Sequence, residues 1–217
     1  MTTIGEEVRE RGFAFRAEYF CDLDTEALAC QLGAPVALGI RGPVHVLLPA
    51  PADERPPNSY SGLYGLGAFP MHTDLAHHRA PPRFFMLRCR VPVEMVSTML
   101  ADSAQILTDV GATLLSRALV QPRRLRGGAR PLLRLFDPAL HLFRWDSEFL
   151  RPASDAGAEA VSAILDALAR HHPASLELAR PGDLLVIDNW RMLHGRSAVP
   201  LVSRDRRIDR VYLESLR

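Results

Sequence analysis

Arg180-Pro-Gly-Asp-Leu-Leu-Val-Ile-Asp-Asn-Trp-Arg-Met-Leu-His-Gly-Arg196 carries three signals in succession. Arg180-Pro-Gly-Asp is a turn, and Leu184-Leu-Val-Ile has no polar alternation, so it reads as a strand covered on both faces. The polar Asp188-Asn-Trp-Arg then marks the emergence of that strand at a rim, where His194 follows. A histidine delivered to the mouth of a barrel is well placed to bind a metal. Taken alone, the same residue fits a packed imidazole bonded to a carbonyl.

Working outward, the chain divides into short apolar runs separated by Pro and Gly: 44–48, 83–90, 96–100, 132–136, 141–145, 176–178, 183–187 and 206–213. Many brief strands of this kind predict a barrel or jelly roll rather than a parallel α/β sheet. None is followed by a Gly-rich phosphate-binding turn, which disfavours a nucleotide fold. Helical signals lie between them. A short opening helix is expected over 6–11, stopped by Gly12, and a second over 24–33 with Asp24 as its cap. Longer helices are expected over 103–119 and 158–170, where apolar residues recur at helical spacing. The Pro-rich 49–57 segment is too short for a domain linker and reads as a surface loop, so one domain over 1–217 is expected.

The formal charge is +1, and all 26 basic residues are Arg. Without Lys there is no Schiff-base lysine, phosphate-loop lysine or Ser/Lys dyad. The densest basic stretch, Arg123, Arg124, Arg126 and Arg130, also holds Gly127, Gly128 and Pro131 and reads as a solvated loop; nucleic acid is not an expected partner. No run approaches the roughly 18 apolar residues of a membrane span, and the Met1-Thr-Thr-Ile start lacks an export signal, so a cytoplasmic protein is expected. Cys21, Cys30 and Cys89 have no metal-finger spacing and read as reduced, mostly buried thiols. The sequence carries no signal of oligomeric state.

His72 and Asp74, in Phe69-Pro-Met-His-Thr-Asp, are two residues apart. On extended backbone their side chains leave on one side, while Met71 and Thr73 face the other. With His194 they make two imidazoles and a carboxylate, the facial triad of non-heme Fe(II) oxygenases, which leaves coordination positions open for substrates. Beyond His194, Arg206, Ile208 and Arg210 share a strand face by period two. Two guanidinium groups in one cavity require anions to meet them.

Together these segments resemble the TauD/TfdA and clavaminate-synthase-like branch of the Fe(II)/2-oxoglutarate-dependent dioxygenases. The likeness covers about 58–213 and keeps the family's order: His-x-Asp, a strand carrying a Thr, Pro-Gly-Asp before a buried strand, Asp-Asn-x-x-x-x-His-Gly-Arg, then Arg-x-x-x-Arg. It implies a double-stranded β-helix, a jelly roll with flanking helices, mainly β. It also implies His72, Asp74 and His194 as iron ligands, Arg206 on the distal carboxylate of 2-oxoglutarate, and the Thr98 hydroxyl on the same cosubstrate. Arg210 would meet the acidic group of the primary substrate; the four-residue step to it selects Arg206 over Arg207. The implied reaction uses dioxygen and yields succinate and CO2 while hydroxylating a small acidic or amino-acid-like metabolite. Halogenases of this chemistry replace the carboxylate ligand by a small residue, whereas Asp74 is intact, so hydroxylation is favoured over that outcome, with desaturation or cyclisation as variants. The chain is short for the family, which predicts a reduced substrate lid.

Asn58, Tyr60 and Tyr64, on a Gly-containing loop before His72, are expected to line the substrate pocket, with a flexible connector as the equal alternative. Arg196 would bind an anion or brace the metal loop. His77 and His78 read as loop residues, His171 and His172 as favourable cations at a helix C-terminus, His45 and His141 as sheet packing, and Trp145 and Trp190 as core or rim aromatics. Two other classes remain open: a redox-inert metal hydrolase or isomerase on the same triad, for which no general base stands out, and a non-catalytic 2-oxoglutarate sensor.

Overall fold

The computed structural model describes residues 2–38, 42–124 and 130–217. Arg126, Gly127 and Gly128 of the basic stretch lie outside the described residues. Two antiparallel sheets face each other as a jelly roll. The larger one runs Phe13–Arg16, Leu184–Asp188, Phe84–Val91, Arg207–Leu216, Gly33–Val36, with Val44–Leu47 also paired to Arg207–Leu216. The smaller one runs Ala174–Glu177, Ser97–Asp102, Met192–Arg196, Phe69–His72.

Strand parity explains both faces of the larger sheet. Leu184 and Val186 point outward onto Ile4, Val8, Leu28 and Ala29 of the two N-terminal helices. Leu185 and Ile187 point inward among Phe85, Leu87, Leu100, Ile208 and Tyr212. All five residues of the Leu184–Asp188 strand are therefore buried, which is why its sequence lacks alternation. A third cluster lies behind the smaller sheet, where Leu193 meets Ile106, Leu115, Trp145 and Ile164. The smaller sheet is thus backed by helices on one side and turns its other face to the space between the sheets.

Local chemistry sets the helix ends. The Ile4–Arg11 helix opens on a capping box between Thr3 and Glu6 and closes at Gly12, whose φ of 82° is left-handed. In the Thr25–Leu32 helix the Asp24 carboxylate accepts from the Ala27 N–H, and in the Asp155–Arg170 helix Ser154 accepts from the Gly157 N–H. No helix among the described residues is long and apolar enough to cross a membrane.

Several expectations need correction. The 103–119 segment is broken into Ser103–Ile106, a π turn Leu107–Gly111 and Ala112–Arg117, because Gly111 has φ 92°, outside the helical region. The 132–136 and 141–145 strands shrink to the two-residue pieces Leu133–Arg134, Phe136–Asp137 and Leu142–Phe143. His141 is exposed with a positive φ of 51°, a turn residue rather than a packed one. Cys21 and Cys30 are exposed and only Cys89 is buried; all three are free thiols. His171 stands at the C-cap of its helix, its backbone N–H donating to the Ala167 carbonyl, and its ring sits 2.6 Å from Asp109 Oδ2.

Candidate metal centre

The two imidazoles arrive on neighbouring strands of the smaller sheet. His194 pairs directly with His72 in the register of Met192–Arg196 against Phe69–His72, and their ring centroids are 4.5 Å apart. Beyond His72 the chain is pinned by reciprocal bonds. Thr73 N–H donates to the Trp145 carbonyl at 2.8 Å, and Trp145 N–H donates to Thr73 Oγ1 at 3.1 Å. Asp74 is clasped by the rim that follows the buried strand. Its N–H donates to Asn189 Oδ1 at 2.7 Å, and Asn189 Nδ2 donates to the carbonyls of Asp74 and Pro82, each at 3.0 Å.

The result is a buried cluster in which one ligand atom from each of His72, Asp74 and His194 lies within 4.8 Å of the others. Asp74 Oδ1 is 3.6 Å from His72 Nε2 and 3.7 Å from His194 Nε2, too far for hydrogen bonds. Asp74 Oδ2 is engaged elsewhere, accepting from Arg210 Nη1 at 2.8 Å and Tyr212 Oη at 2.9 Å. His72 Nδ1 is 2.8 Å from the Pro70 carbonyl. A carbonyl only accepts, so Nδ1 carries the proton and Nε2 offers a lone pair. Burial, with His72 next, depresses the His194 pKa and keeps it neutral. Burial raises the Asp74 pKa, but Arg210 and the two imidazoles outweigh it and hold the carboxyl well below its usual range. Two imidazole nitrogens and a carboxylate oxygen thus converge in one buried cluster, and a metal cation fits that donor set.

The cluster opens into a cavity of about 420 Å³ between the sheets. Parity brings Arg206, Ile208 and Arg210 into its wall, as expected from the sequence, and Tyr212 and Thr98 line it too. Arg206 is buried and its Nε has no hydrogen-bond partner among the described residues. Arg207 is exposed and lies 3.7 Å from Asp209 on the other face. Thr98 pairs with Arg196 across the strands, opposite the step that carries His194.

The remaining candidates divide. Tyr60 lines the cavity, stacked on His72 with centroids 4.1 Å apart. It belongs to a short helix, Tyr60–Tyr64, capped by Ser59. Asn58 and Tyr64 are not among the cavity's lining residues: Asn58 faces a smaller neighbouring hollow, and Tyr64 Oη donates to Glu148 at 2.8 Å. Arg210 reaches the cavity but has one Nη committed to Asp74. Arg196 braces the loop before Phe69, donating to the carbonyls of Gly65 and Gly67 and lying 3.7 Å from the Phe69 ring centroid. His77 also lines the cavity. Trp190 is a rim aromatic whose indole N–H donates to the Pro81 carbonyl, and Trp145 is core.

Sequence reasoning missed Asn189, Tyr212 and Asp146. Asn189 stands inside the quoted segment and Tyr212 is two residues past Arg210 on the same face, so parity marks it. Asp146 lines the cavity through a loop that only the tertiary fold brings to His72.

No family model matches the chain. Among solved structures, the fold is shared with asparagine oxygenase (22% identity, TM-score 0.67, 86% of this chain and 61% of that one). It is also shared with the non-heme iron oxygenase OrfP in complex with Fe and alpha-ketoglutaric acid (20%, 0.67, 87% and 63%). A third is PvcB from Pseudomonas aeruginosa (18%, 0.68, 97% and 79%). The chain therefore spans a little over three-fifths of the length of the first two.

Proposed function

We propose that the chain is an Fe(II)- and 2-oxoglutarate-dependent dioxygenase that hydroxylates an aliphatic C–H bond of a small acidic or amino-acid-like metabolite. One observation carries the reading: the buried meeting of His72 Nε2, His194 Nε2 and Asp74 Oδ1 in one cavity with Arg206, whose Nε has no hydrogen-bond partner among the described residues. The fold supports it, being that of an asparagine oxygenase solved with Fe(II), 3-hydroxyasparagine and succinate, and of OrfP solved with Fe and alpha-ketoglutaric acid.

In this account His72, Asp74 and His194 hold the iron. When bound, iron with 2-oxoglutarate and dioxygen supplies the oxidation, giving succinate, CO2 and one oxygen atom in the substrate. The protein positions and shields. Arg206 offers a planar two-point fork to the distal carboxylate of the keto acid, and the Thr98 hydroxyl adds a bond to it. Arg210 and Tyr212 keep Asp74 Oδ2 occupied, so Oδ1 alone faces the metal position. The free edge of Arg210 faces the substrate's acidic group. Tyr60 and Phe85 flank the imidazoles at 4.1 and 4.8 Å and keep water away.

The test is anaerobic addition of Fe(II) and 2-oxoglutarate, which should give a visible metal-to-ligand absorption band. Oxygen should then release succinate, and with the right metabolite a product heavier by one oxygen. Turnover without oxygen would select the hydrolase class instead, and binding with no turnover on any metabolite the sensor class.

A further inference from the structure

Asp146 is a buried carboxylate in the cavity wall, and nothing in the metal site uses it. Its Oδ1 accepts three hydrogen bonds, from Tyr60 Oη at 2.9 Å, Glu148 N–H at 2.9 Å and Phe149 N–H at 2.8 Å. Every one of these donors is neutral. Oδ2 receives no hydrogen bond from any described residue, yet it is not sealed off among the fully buried unpartnered atoms. A carboxylate withdrawn from water and offered only neutral hydrogen-bond donors is stabilised when a cation joins its free oxygen.

The surroundings point the same way. Tyr60 links Asp146 to the metal corner, with its hydroxyl on the carboxylate and its ring stacked on His72. Phe149, whose N–H donates to Asp146, stands edge-on to Tyr60 at 5.2 Å, so the carboxylate is held against an aromatic pair. The cavity's other charged side chains are Arg55, Arg196, Arg206 and Arg210, together with Asp74. Once Asp74 serves the metal, Asp146 is the remaining acid in a wall otherwise rich in guanidinium groups. Burial raises the Asp146 pKa, while His72 and the hydrogen bonds to Oδ1 pull it down.

Resting on the oxygenase reading of this cavity, we infer that Asp146 is a specificity residue that binds a protonated amine or guanidinium of the primary substrate. The substrate is therefore a cation-bearing metabolite, such as an amino acid, rather than a simple dicarboxylic or other wholly anionic acid. Tyr60 is a positioning residue for Asp146, holding Oδ1 so that Oδ2 faces the cavity.

The experiment is calorimetric titration of the full chain carrying Fe(II) and 2-oxoglutarate under argon. The probes are the protein L-amino acids, agmatine, and the N-acetyl and desamino counterpart of each binder. The expected result is saturable binding of at least one ammonium or guanidinium probe. Removing its positive charge should weaken it about tenfold or more, and so should Asp146→Asn, which keeps the Tyr60 acceptor. Equal affinity for charged and uncharged counterparts, or no binding by any cationic probe, overturns the assignment. The comparison of counterparts on the unmodified chain keeps the test decisive if Asp146→Asn does not fold. An unchanged amine preference in a folded Asp146→Asn chain also overturns it, including where turnover is lost, since that outcome marks a general base. The absorption band recorded in the same cell separates the two readings. A band without cation preference rejects only the role of Asp146, whereas cation preference without a band rejects the iron and 2-oxoglutarate reading.

Discussion

The two ends of the cavity are built on opposite principles. At the metal end most groups are fixed by the protein: Asn189 clasps the backbone of Asp74, Arg210 and Tyr212 occupy one carboxylate oxygen, and the Pro70 carbonyl holds His72 Nδ1, while His194 Nδ1 and Arg210 Nε have no hydrogen-bond partner among the described residues. At the other end Arg206 is equally buried, and neither its Nε nor the rest of its guanidinium has a hydrogen-bond or ion-pair partner among the described residues. The first end is assembled in advance, and the second is complete only when an anion arrives. That contrast orders the effects expected from mutation.

Ligand loss should be the harshest change. His72→Ala or His194→Ala is expected to weaken Fe(II) binding by more than about a hundredfold, since loss of mere supporting partners already costs about 10–100-fold; equilibrium dialysis with metal analysis measures it. Arg206→Met comes next and should act in two directions. It should weaken 2-oxoglutarate by about a hundredfold, as expected for a buried charge-assisted fork, while leaving metal binding intact. In the ligand-free chain it should raise stability by about 1–3 kcal/mol, because an unpaired buried cation has been removed. Denaturant midpoints check this, and a fall in stability would mean that Arg206 is already paired within the protein.

Tyr212→Phe should have a smaller effect at the metal end, lowering metal affinity about tenfold with the fold kept. The mildest effect concerns Cys89. Burial pushes its thiol up to about 11, so in native protein it should resist alkylation at neutral pH while Cys21 and Cys30 react. The sign of the linkage follows. The unfolded chain ionises this thiol near its ordinary value and the folded chain does not, so its stabilising contribution is intact below about 8.5 and is lost as pH rises towards 11. Mass spectrometry of alkylated protein and unfolding curves at alkaline pH test both statements.

Much of this was legible in the sequence, for physical reasons that can be named. The period-two alternation of strands placed Arg206, Ile208 and Arg210 on one face, and Tyr212 follows by the same rule. His72 and Asp74 do meet in one cluster, although the strand ends at His72 and Asp74 lies in the turn that follows, so extended-backbone parity alone does not place it. The unbroken apolar Leu184–Ile187 run revealed a strand covered on both faces. What escaped depends on contacts made over long sequence distances. Asp146 is one of many acidic residues until the 145–149 loop folds against Tyr60 and His72. The displacement of Asn58 and Tyr64 from the cavity results from a short helix that turns only Tyr60 inward. Gly111 could have flagged the break within 103–119, but apolar spacing alone carried the pattern through it.

The claim beneath all of this is that two imidazoles and one carboxylate form a single ferrous site beside an anion-seeking arginine. The most direct measurement is an anaerobic Fe(II) titration with 2-oxoglutarate, followed by visible absorption in the unmodified chain and in Asp74→Ala. One iron per chain, with a band that needs both 2-oxoglutarate and Asp74, is the predicted result. No iron bound, or the same band without Asp74, would contradict it.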